Sequence, residues 1–242
     1  MSSAIYPSLK GRKVLITGGG SGIGAGLVAA FARQGSVVHF IDLVDTVSAT
    51  LEAGAATFHK CDLTDIAALE GLIARIGPFD VLLNNAANDD RHRLEDVTEA
   101  YFDNRIAVNL KHLLFCAKAV VPGMKAAGGG AIINFGSISW HLGLPDLVLY
   151  ETAKAGIEGM TRGLARELGP DNIRVTTILP GNVKTPRQMK WYTPEGEQQI
   201  VDAQCLKGRI EPAHVASLAL FLASDDAALC TGHGYWIDAG WR

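Results

Sequence analysis

The sequence lacks several features that would place it in specialised protein classes. It has no excess of basic residues, since 22 Lys and Arg stand against 25 Asp and Glu for a net charge of −3, and nucleic-acid binding would need a basic face. It has no uninterrupted apolar stretch of about 20 residues, the length that crosses a membrane, and residues 1–10 show no signal-peptide pattern. We therefore expect a cytoplasmic protein that binds neither nucleic acid nor a membrane.

Cysteine is scarce and scattered. The spacing of the four cysteines is neither CxxC nor that of a metal site; they are Cys61, Cys116, Cys205 and Cys230. Free thiols in a reducing compartment are the expected state, and no metal is predicted.

Length and composition suit one α/β domain, because 242 residues that are 48% hydrophobic can bury a full core. Short β-branched runs alternate with helical patterns, which is typical of parallel strands joined by crossover helices. The predicted strands are 13–17, 37–41, 57–61, 81–83, 131–135, 173–179 and 234–238. The predicted helices are 23–34, 64–76 (capped by Thr64), 101–127, 149–168 and 213–223. The segment 185–206 shows no strong period and is predicted to be a mobile lid near the substrate.

The first predicted strand runs into a glycine-rich turn and then a helix, which is a typical setting for a phosphate site. Gly18, Gly22 and Gly24 let the backbone approach a cofactor, and Ser21 and Ile23 lie in the same turn. Unpaired N–H groups at the start of the helix favour a pyrophosphate. No Gly-Lys-Ser/Thr sequence follows, which disfavours a P-loop nucleotide triphosphatase and leaves a dinucleotide as the predicted ligand.

Asp42 closes the second predicted strand, where a carboxylate can bind ribose hydroxyls and would repel a 2′-phosphate. Leu43 follows it, and the glycine-rich turn contains no Lys or Arg. These features favour NAD over NADP, although a simple cap at the strand end is an alternative explanation of Asp42. Asp62 and Leu63, where the next strand ends, could hold the adenine between a polar and an apolar contact.

Tyr150 and Lys154 stand four residues apart on one face of a predicted helix. A free tyrosine has a pKa of about 10, too high for a base at neutral pH, and a nearby ammonium is expected to lower that pKa. Ser137, just beyond the fifth predicted strand, could hydrogen-bond the reacting oxygen, and Asn109 could hold a proton-relay water. The combination predicts hydride transfer between an alcohol or carbonyl and a nicotinamide.

Taken in order, these segments resemble the short-chain dehydrogenase/reductase family over essentially the whole chain. The matching motifs are TGGGSGIG at 17–24, Asp62-Leu63, NNAA at 84–87, Val108-Asn109, Ser137, Tyr150-x-x-x-Lys154 and Pro180-Gly181-x-x-x-Thr185. The resemblance implies a single domain, 1–242, with a Rossmann-type doubly wound parallel sheet of about seven strands, and a homotetramer.

The same resemblance implies roles for individual residues. Tyr150 would be the acid/base, Lys154 and Ser137 would assist it, Asn109 would complete a tetrad, and Thr185 would bind the nicotinamide carboxamide. The cofactor-binding positions that it implies are Gly18, Ser21, Gly22, Ile23, Gly24, Asp42, Leu43, Asp62, Leu63, Asn85, Ala86, Ala87, Val108, Tyr150, Lys154, Pro180, Gly181, Val183 and Thr185.

Two positions depart from the family pattern. Ala87 occupies a place that usually holds glycine, and it would be strained by about 1 kcal/mol if its φ were positive. Gly136 replaces a frequent serine before Ser137. Neither departure removes a catalytic group.

Four further segments resemble the bacterial NAD-dependent pentose 1-dehydrogenases of that family, which oxidise the anomeric hydroxyl of an aldopentose such as D-xylose or L-arabinose to the lactone. They are 88–92, 136–143, 190–196 and 236–242. Paired donors and acceptors, together with aromatic faces, suit a cyclic polyol. The candidate substrate residues are Asn88, Asp89, Ser137, His141, Tyr150, Asn182 and Trp191.

Several alternatives stay open. Asp89 and Asp90 could be solvated loop charges, Trp191 could pack a subunit interface, and Trp241 could reach a neighbouring subunit. A 3-oxoacyl-carrier-protein reductase is the nearest rival function, and another sugar, a steroid or a small polyol is a possible substrate. A catalytically silent NAD-sensing protein would be expected to lack one of Ser137, Tyr150 and Lys154, and this chain has all three.

Overall fold

The computed structural model of the chain describes residues 4–52, 54–190 and 192–241. Trp191, a predicted substrate residue, lies outside these ranges. The described residues form a seven-stranded parallel sheet in the order β3-β2-β1-β4-β5-β6-β7. The strands are β1 Lys13–Thr17, β2 Val37–Asp42, β3 Ala56–Lys60, β4 Val81–Asn84, β5 Gly130–Phe135, β6 Ile173–Pro180 and β7 Gly234–Ile237. This is the predicted doubly wound α/β architecture.

Eight α-helices are present among the described residues. They are α1 Gly22–Arg33, α2 Ile66–Ile76, α3 Glu99–Ile106, α4 His112–Ala126, α5 Ser139–Leu142, α6 Val148–Leu168, α7 Pro194–Ala203 and α8 Pro212–Ala223. A π-helical turn, Ala107–Lys111, joins α3 to α4. The cap of α2 is Asp65 rather than the expected Thr64, because the Asp65 side chain accepts a hydrogen bond from Ala68 N at 3.0 Å.

The helices cover both faces of the sheet. Because successive residues of a strand point to opposite faces, Val14 and Ile16 pack with α1 and α8, whereas Leu15 packs with α2, α4 and α6. The chain moves outward from β1 through β2 and β3 on one side and from β4 to β7 on the other. In such sheets, ligands bind at the carboxyl ends of the strands, where the order reverses. The fold therefore places the site beyond the ends of β1 and β4.

The helical stretch from Glu99 to Ala126 is long and apolar enough, by length and composition alone, to cross a membrane. Its apolar residues have another explanation in this fold. Leu113, Cys116, Val120 and Met124 of α4 are all buried, and the last three belong to the core beneath the sheet. Packing within the domain thus accounts for part of the apolar composition, since 33% of the apolar window is buried.

His112, the first residue of α4, is fully buried, and burial lowers its pKa to about 4. In the unfolded chain the histidine pKa is about 6.5. Between pH 4 and 6.5 the unfolded chain therefore binds more protons at His112 than the folded protein does. Stability is therefore expected to fall as pH drops from about 6.5 towards 4. A shift of this size corresponds to about 3 kcal/mol at the acid end.

The test compares the free energy of unfolding of wild type and His112→Leu by chemical denaturation between pH 7 and 4. The variant is expected to lose part of the acid sensitivity. Replacement of the exposed His233 by Gln is the matched control and should leave the pH dependence unchanged. Equal acid sensitivity in wild type and His112→Leu would contradict the assignment.

Candidate active site

A cavity of about 660 Å³ opens at the carboxyl end of the sheet, within the range of about 300–1,000 Å³ typical of ligand sites. It is lined by residues from the segments that follow all seven strands. The predicted cofactor residues among its lining are Gly18, Ser21, Gly22, Ile23, Gly24, Asp42, Leu43, Asp62, Leu63, Asn85, Ala86, Ala87, Val108, Tyr150, Lys154, Pro180, Gly181, Val183 and Thr185. The structure thus brings together residues that lie far apart in the sequence.

Two glycines where β1 meets α1, Gly18 and Gly24, have no room for a Cβ atom. Gly18 has φ +66°, and a Cβ atom there would lie 2.7 Å from Ala86 Cα. A Cβ atom on Gly24 would lie 1.8 Å from the carbonyl oxygen of Gly18. Ser21 precedes α1, and its side chain makes no capping hydrogen bond. The Ser21 hydroxyl therefore does not occupy the N–H groups of the first turn of α1. These groups are suited to an anionic pyrophosphate.

Asp42 hydrogen-bonds the backbone of the glycine-rich turn and also lines the cavity. Its carboxylate accepts hydrogen bonds from Gly20 N at 2.8 Å and Leu43 N at 2.7 Å. It caps the end of β2 and lines the cavity at the same time, so the two explanations of this residue are compatible. At the next strand end, Asp62 accepts bonds from both the backbone N and the hydroxyl of Thr64.

The segment after β4 is tied to the end of β1. Asn85 Nδ2 donates to the carbonyl oxygens of Thr17 and Gly18 at 3.1 and 3.0 Å. Ala87 is not among the described residues with positive φ, of which Asp146, Asn172 and Ala239 are the non-glycine examples. The condition for strain at Ala87 is therefore not met, and the backbone accommodates its methyl group.

Tyr150 and Lys154 both lie on α6 and face the cavity. Lys154 Nζ donates to the carbonyl oxygen of Phe135 at 2.6 Å and lies 5.3 Å from the centroid of the Tyr150 ring. The hydroxyl of Ser137 accepts from Ser139 N at 3.1 Å and acts on Tyr150 in the sense that lowers the phenol pKa. A phenol, a hydroxyl and an amine thus meet at one point of the cavity wall.

The electrostatics differ from the expectation that an ammonium lowers the Tyr150 pKa. Burial raises this pKa and the Asp89 carboxylate raises it further, while the Ser137 hydrogen bond and Arg187 lower it. Burial also lowers the pKa of Lys154 to about 7, against an opposing effect of Asp89. The direction is reversed because packing removes the water that would stabilise both charges.

Asn109 lies in the π-helical turn and is fully buried. Its side chain accepts from Asn88 N at 2.8 Å and donates to Asn88 O at 3.0 Å. The side-chain amide is therefore engaged with the backbone of Asn88, and its role in holding a proton-relay water stays a prediction. This arrangement holds the segment after β4, and π-helical turns are frequent at functional sites.

The substrate candidates separate into two groups. Asn88, Asp89 and Asn182 line the cavity. His141 is not among the lining residues. Its Nε2 is 3.3 Å from Glu158 Oε1 and its ring lies 4.4 Å from that of Trp236, so these contacts fix it against the outer end of β7.

The sequence reasoning missed three residues of the predicted lid segment (185–206) that line the cavity: Arg187, Gln188 and Tyr192. It also missed α7, which is preceded by Thr193 as a cap that accepts from Gly196 N. A threonine followed by proline and glutamate is a typical helix start and could have revealed α7. The three cavity residues had no comparable local signal. Whether the segment moves stays a prediction.

Within the described residues, no cluster of three or more His, Cys, Asp or Glu side chains is arranged to hold a metal ion. The four cysteines are free. The cavity therefore offers glycine-turn N–H groups, ribose acceptors and an acid/base pair, a combination suited to a nicotinamide dinucleotide.

Comparison with known proteins gives matches over nearly the full length. Residues 18–242 match a family model described as enoyl-(acyl carrier protein) reductase. The chain is 71% identical to D-xylose 1-dehydrogenase of Caulobacter vibrioides, covering 100% of both. It is 46% identical to a probable galactose dehydrogenase of Rhizobium meliloti, covering 99% of this chain and 98% of the relative. A 3-oxoacyl-[acyl-carrier protein] reductase with bound NAD from Brucella melitensis has TM-score 0.89 at 31% identity, covering 98% of this chain and 94% of that one.

Proposed function

Because this chain belongs to the short-chain dehydrogenase/reductase family, we propose that it is an NAD-dependent sugar 1-dehydrogenase. The proposed reaction oxidises the C1 hydroxyl of an aldopentose, such as D-xylose or L-arabinose, to the lactone. The observation that carries the proposal is the meeting of Ser137, Tyr150 and Lys154 in the wall of one cavity. The 71% identity with a D-xylose 1-dehydrogenase supports the choice of substrate.

In the proposed mechanism, Tyr150 accepts the proton of the C1 hydroxyl, and Ser137 holds the reacting oxygen. NAD, when bound, would accept the hydride of the C1–H bond, and loss of that hydride together with the hydroxyl proton would leave the lactone carbonyl at C1. Lys154 lies beside the Tyr150 ring and passes the proton onward. Asn109 positions the segment that carries Asn88.

The substrate end of the cavity has the chemistry of a polyol site. Asn88, Asp89 and Asn182 bring amide and carboxylate groups, and Gln188 and Tyr192 add an amide and a phenol. Trp241, which also lines the cavity of its own chain, offers an aromatic face to the C–H face of a pyranose. Paired donors and acceptors beside one aromatic surface favour a sugar over a simple alkyl alcohol.

The test of the proposal is formation of reduced cofactor by the purified protein with a panel of alcohols. The panel contains D-xylose, L-arabinose, D-galactose, D-glucose, L-fucose and a 3-hydroxyacyl thioester. Strong NAD-linked oxidation of a pentose is expected. The thioester is included because the matching family model and a solved relative are acyl-carrier-protein reductases. Turnover of the thioester without any sugar would overturn the sugar assignment and leave the family unaffected.

NAD is the proposed cofactor because Asp42 lies where a 2′-phosphate would have to fit. Replacement by Asn removes the charge and keeps one of the two oxygens, so either Gly20 N or Leu43 N, which bond different oxygens of Asp42, loses its acceptor. Asp42→Asn is therefore expected to raise the NADP/NAD ratio of kcat/KM by about 10-fold or more. The matched control is Asp45→Asn, since Asp45 also binds backbone N–H groups but does not line the cavity. An unchanged ratio in Asp42→Asn would argue against this role.

The proposed assembly is a homotetramer in the cytoplasm. Family membership supports the tetramer, and the four free cysteines suit a reducing compartment. Light scattering of the purified protein tests the assembly.

A further inference from the structure

An ion-pair clasp spans the mouth of the cavity. Arg187, just beyond Thr185, reaches across to the segment after β4. Its Nε lies 3.0 Å from Asp89 Oδ1, and its Nη2 lies 2.5 Å from Asp90 Oδ1 and 3.2 Å from Asn88 Oδ1. One guanidinium thus binds three consecutive side chains, with one nitrogen on each carboxylate.

The second oxygen of Asp89 has its own donor. Gln188 Nε2 donates to Asp89 Oδ2 at 2.7 Å, and Gln188 Oε1 accepts from the Tyr192 hydroxyl at 2.9 Å. Each carboxylate oxygen can accept about two hydrogen bonds. Asp89 is therefore held rigidly while each oxygen retains capacity for a sugar hydroxyl.

The Asp89 carboxylate disfavours loss of the proton from Tyr150. Asp89 favours the neutral phenol and Arg187 favours the phenolate, both in addition to the larger effect of burial. Lys154 is the other charged group beside the phenol. The remaining charged groups of the cavity are Arg91 and Arg105 near Asp90, and Asp42 and Asp62 at its nucleotide end. The Asp89 carboxylate can bind a polyol, but without a neighbouring cation it makes it harder for Tyr150 to lose its proton.

We propose that Arg187 is a positioning residue that holds and neutralises Asp89 across the cavity from Tyr150. Asp89 then receives sugar hydroxyls without preventing Tyr150 from losing its proton. The inference rests on the proposed function for the sugar contact, whereas the electrostatic part applies to any alcohol that the enzyme oxidises.

The experiment measures kcat and KM as functions of pH for wild type, Arg187→Met, Arg187→Lys, Asp89→Asn and the double variant Arg187→Met/Asp89→Asn. Arg187→Met is expected to move the rising limb of the kcat profile upward by about one pH unit. This is the lower end of the effect of a paired charge, because the Arg187 side chain is 49% exposed and Asp89 is 31% exposed. On that limb, kcat at a fixed pH falls by about 10-fold.

Arg187→Lys should restore most of the profile, since it returns the charge. The double variant should return the limb to the wild-type pH while keeping a raised KM for the sugar, because the carboxylate is gone. Lys190→Met is the matched control, as it removes one positive charge from the same segment at an exposed position outside the cavity lining.

Two results would overturn the proposal. A raised KM with an unmoved pH profile in Arg187→Met would make Arg187 a structural contact only. A shift that persists in the double variant would show that Asp89 is not the group being neutralised. If wild type oxidises another alcohol and no sugar, the proposed function fails, and the pH profiles are measured with that alcohol. Thermal denaturation of each variant separates these outcomes from loss of the fold.

Discussion

Tyr150→Phe is expected to lower kcat for alcohol oxidation by about 100- to 10,000-fold, the usual contribution of a positioned acid or base. In the proposed mechanism this hydroxyl takes the substrate proton, with Ser137 acting on it in the sense that favours the phenolate. Phenylalanine fills the same space, and Lys154 keeps its bond to the Phe135 carbonyl. Cofactor binding should therefore survive, as measured by fluorescence titration with the reduced cofactor.

Tyr6→Phe is the matched control, because it removes one phenol hydroxyl from a partly buried tyrosine outside the cavity. It should leave both turnover and cofactor affinity unchanged. Near-normal turnover in Tyr150→Phe would refute Tyr150 as the base. Loss of cofactor binding in the same variant would show that the ring, and not the proton transfer, had been disturbed.

Gly24→Ala is expected to abolish the nucleotide site. The new Cβ atom would lie 1.8 Å from Gly18 O and 2.8 Å from Asn85 Nδ2, and a backbone carbonyl within a tight turn cannot move aside easily. The clash is more severe than ordinary overpacking, which costs about 1–3 kcal/mol, so we expect more than about 3 kcal/mol. If this free energy opposes the turn conformation that binds the cofactor, cofactor affinity falls by more than about 100-fold.

The control for Gly24→Ala is Gly71→Ala in α2. A Cβ atom at Gly71 meets nothing within 4 Å, and alanine favours a helix interior over glycine by about 0.5–1 kcal/mol. Gly71→Ala should therefore raise the free energy of unfolding slightly and leave cofactor affinity unchanged. Calorimetric titration and chemical denaturation of both variants measure the two effects. Equal cofactor affinity in Gly24→Ala and wild type would contradict the role of the turn.

The strands and most helices are predictable because their signals are local. The sequence predicts Lys13–Thr17 with both of its ends, since a buried parallel strand is an apolar run bounded by turn residues. Helix α6 is predicted to within one residue at its start. The π-helical turn that separates α3 from α4 has no such signal, because the same residues satisfy an uninterrupted helical period.

The candidate site is predictable where residues act through short spacings. Tyr150 and Lys154 share a helix face by their separation alone, and Gly18 and Gly24 belong to one turn. Aromatic and polar residues without a spacing rule have no local signal for where their side chains lie. His141, for example, follows the end of β5 closely, as Ser137 does, but contacts Glu158 and Trp236 instead of lining the cavity.

By itself, the sequence determines the α/β class and predicts the glycine-rich turn and the pairing of Tyr150 with Lys154, because each depends on neighbours within about one helical turn or one strand. Only the tertiary structure decides which distant side chains meet. Gln188 binds Asp89 although they lie 99 positions apart, because parallel strands bring their carboxyl ends to the same edge of the sheet. The tertiary structure also decides the direction in which the Tyr150 pKa is shifted. Burial and the opposing effects of Asp89 and Arg187 exist only once the cavity has formed.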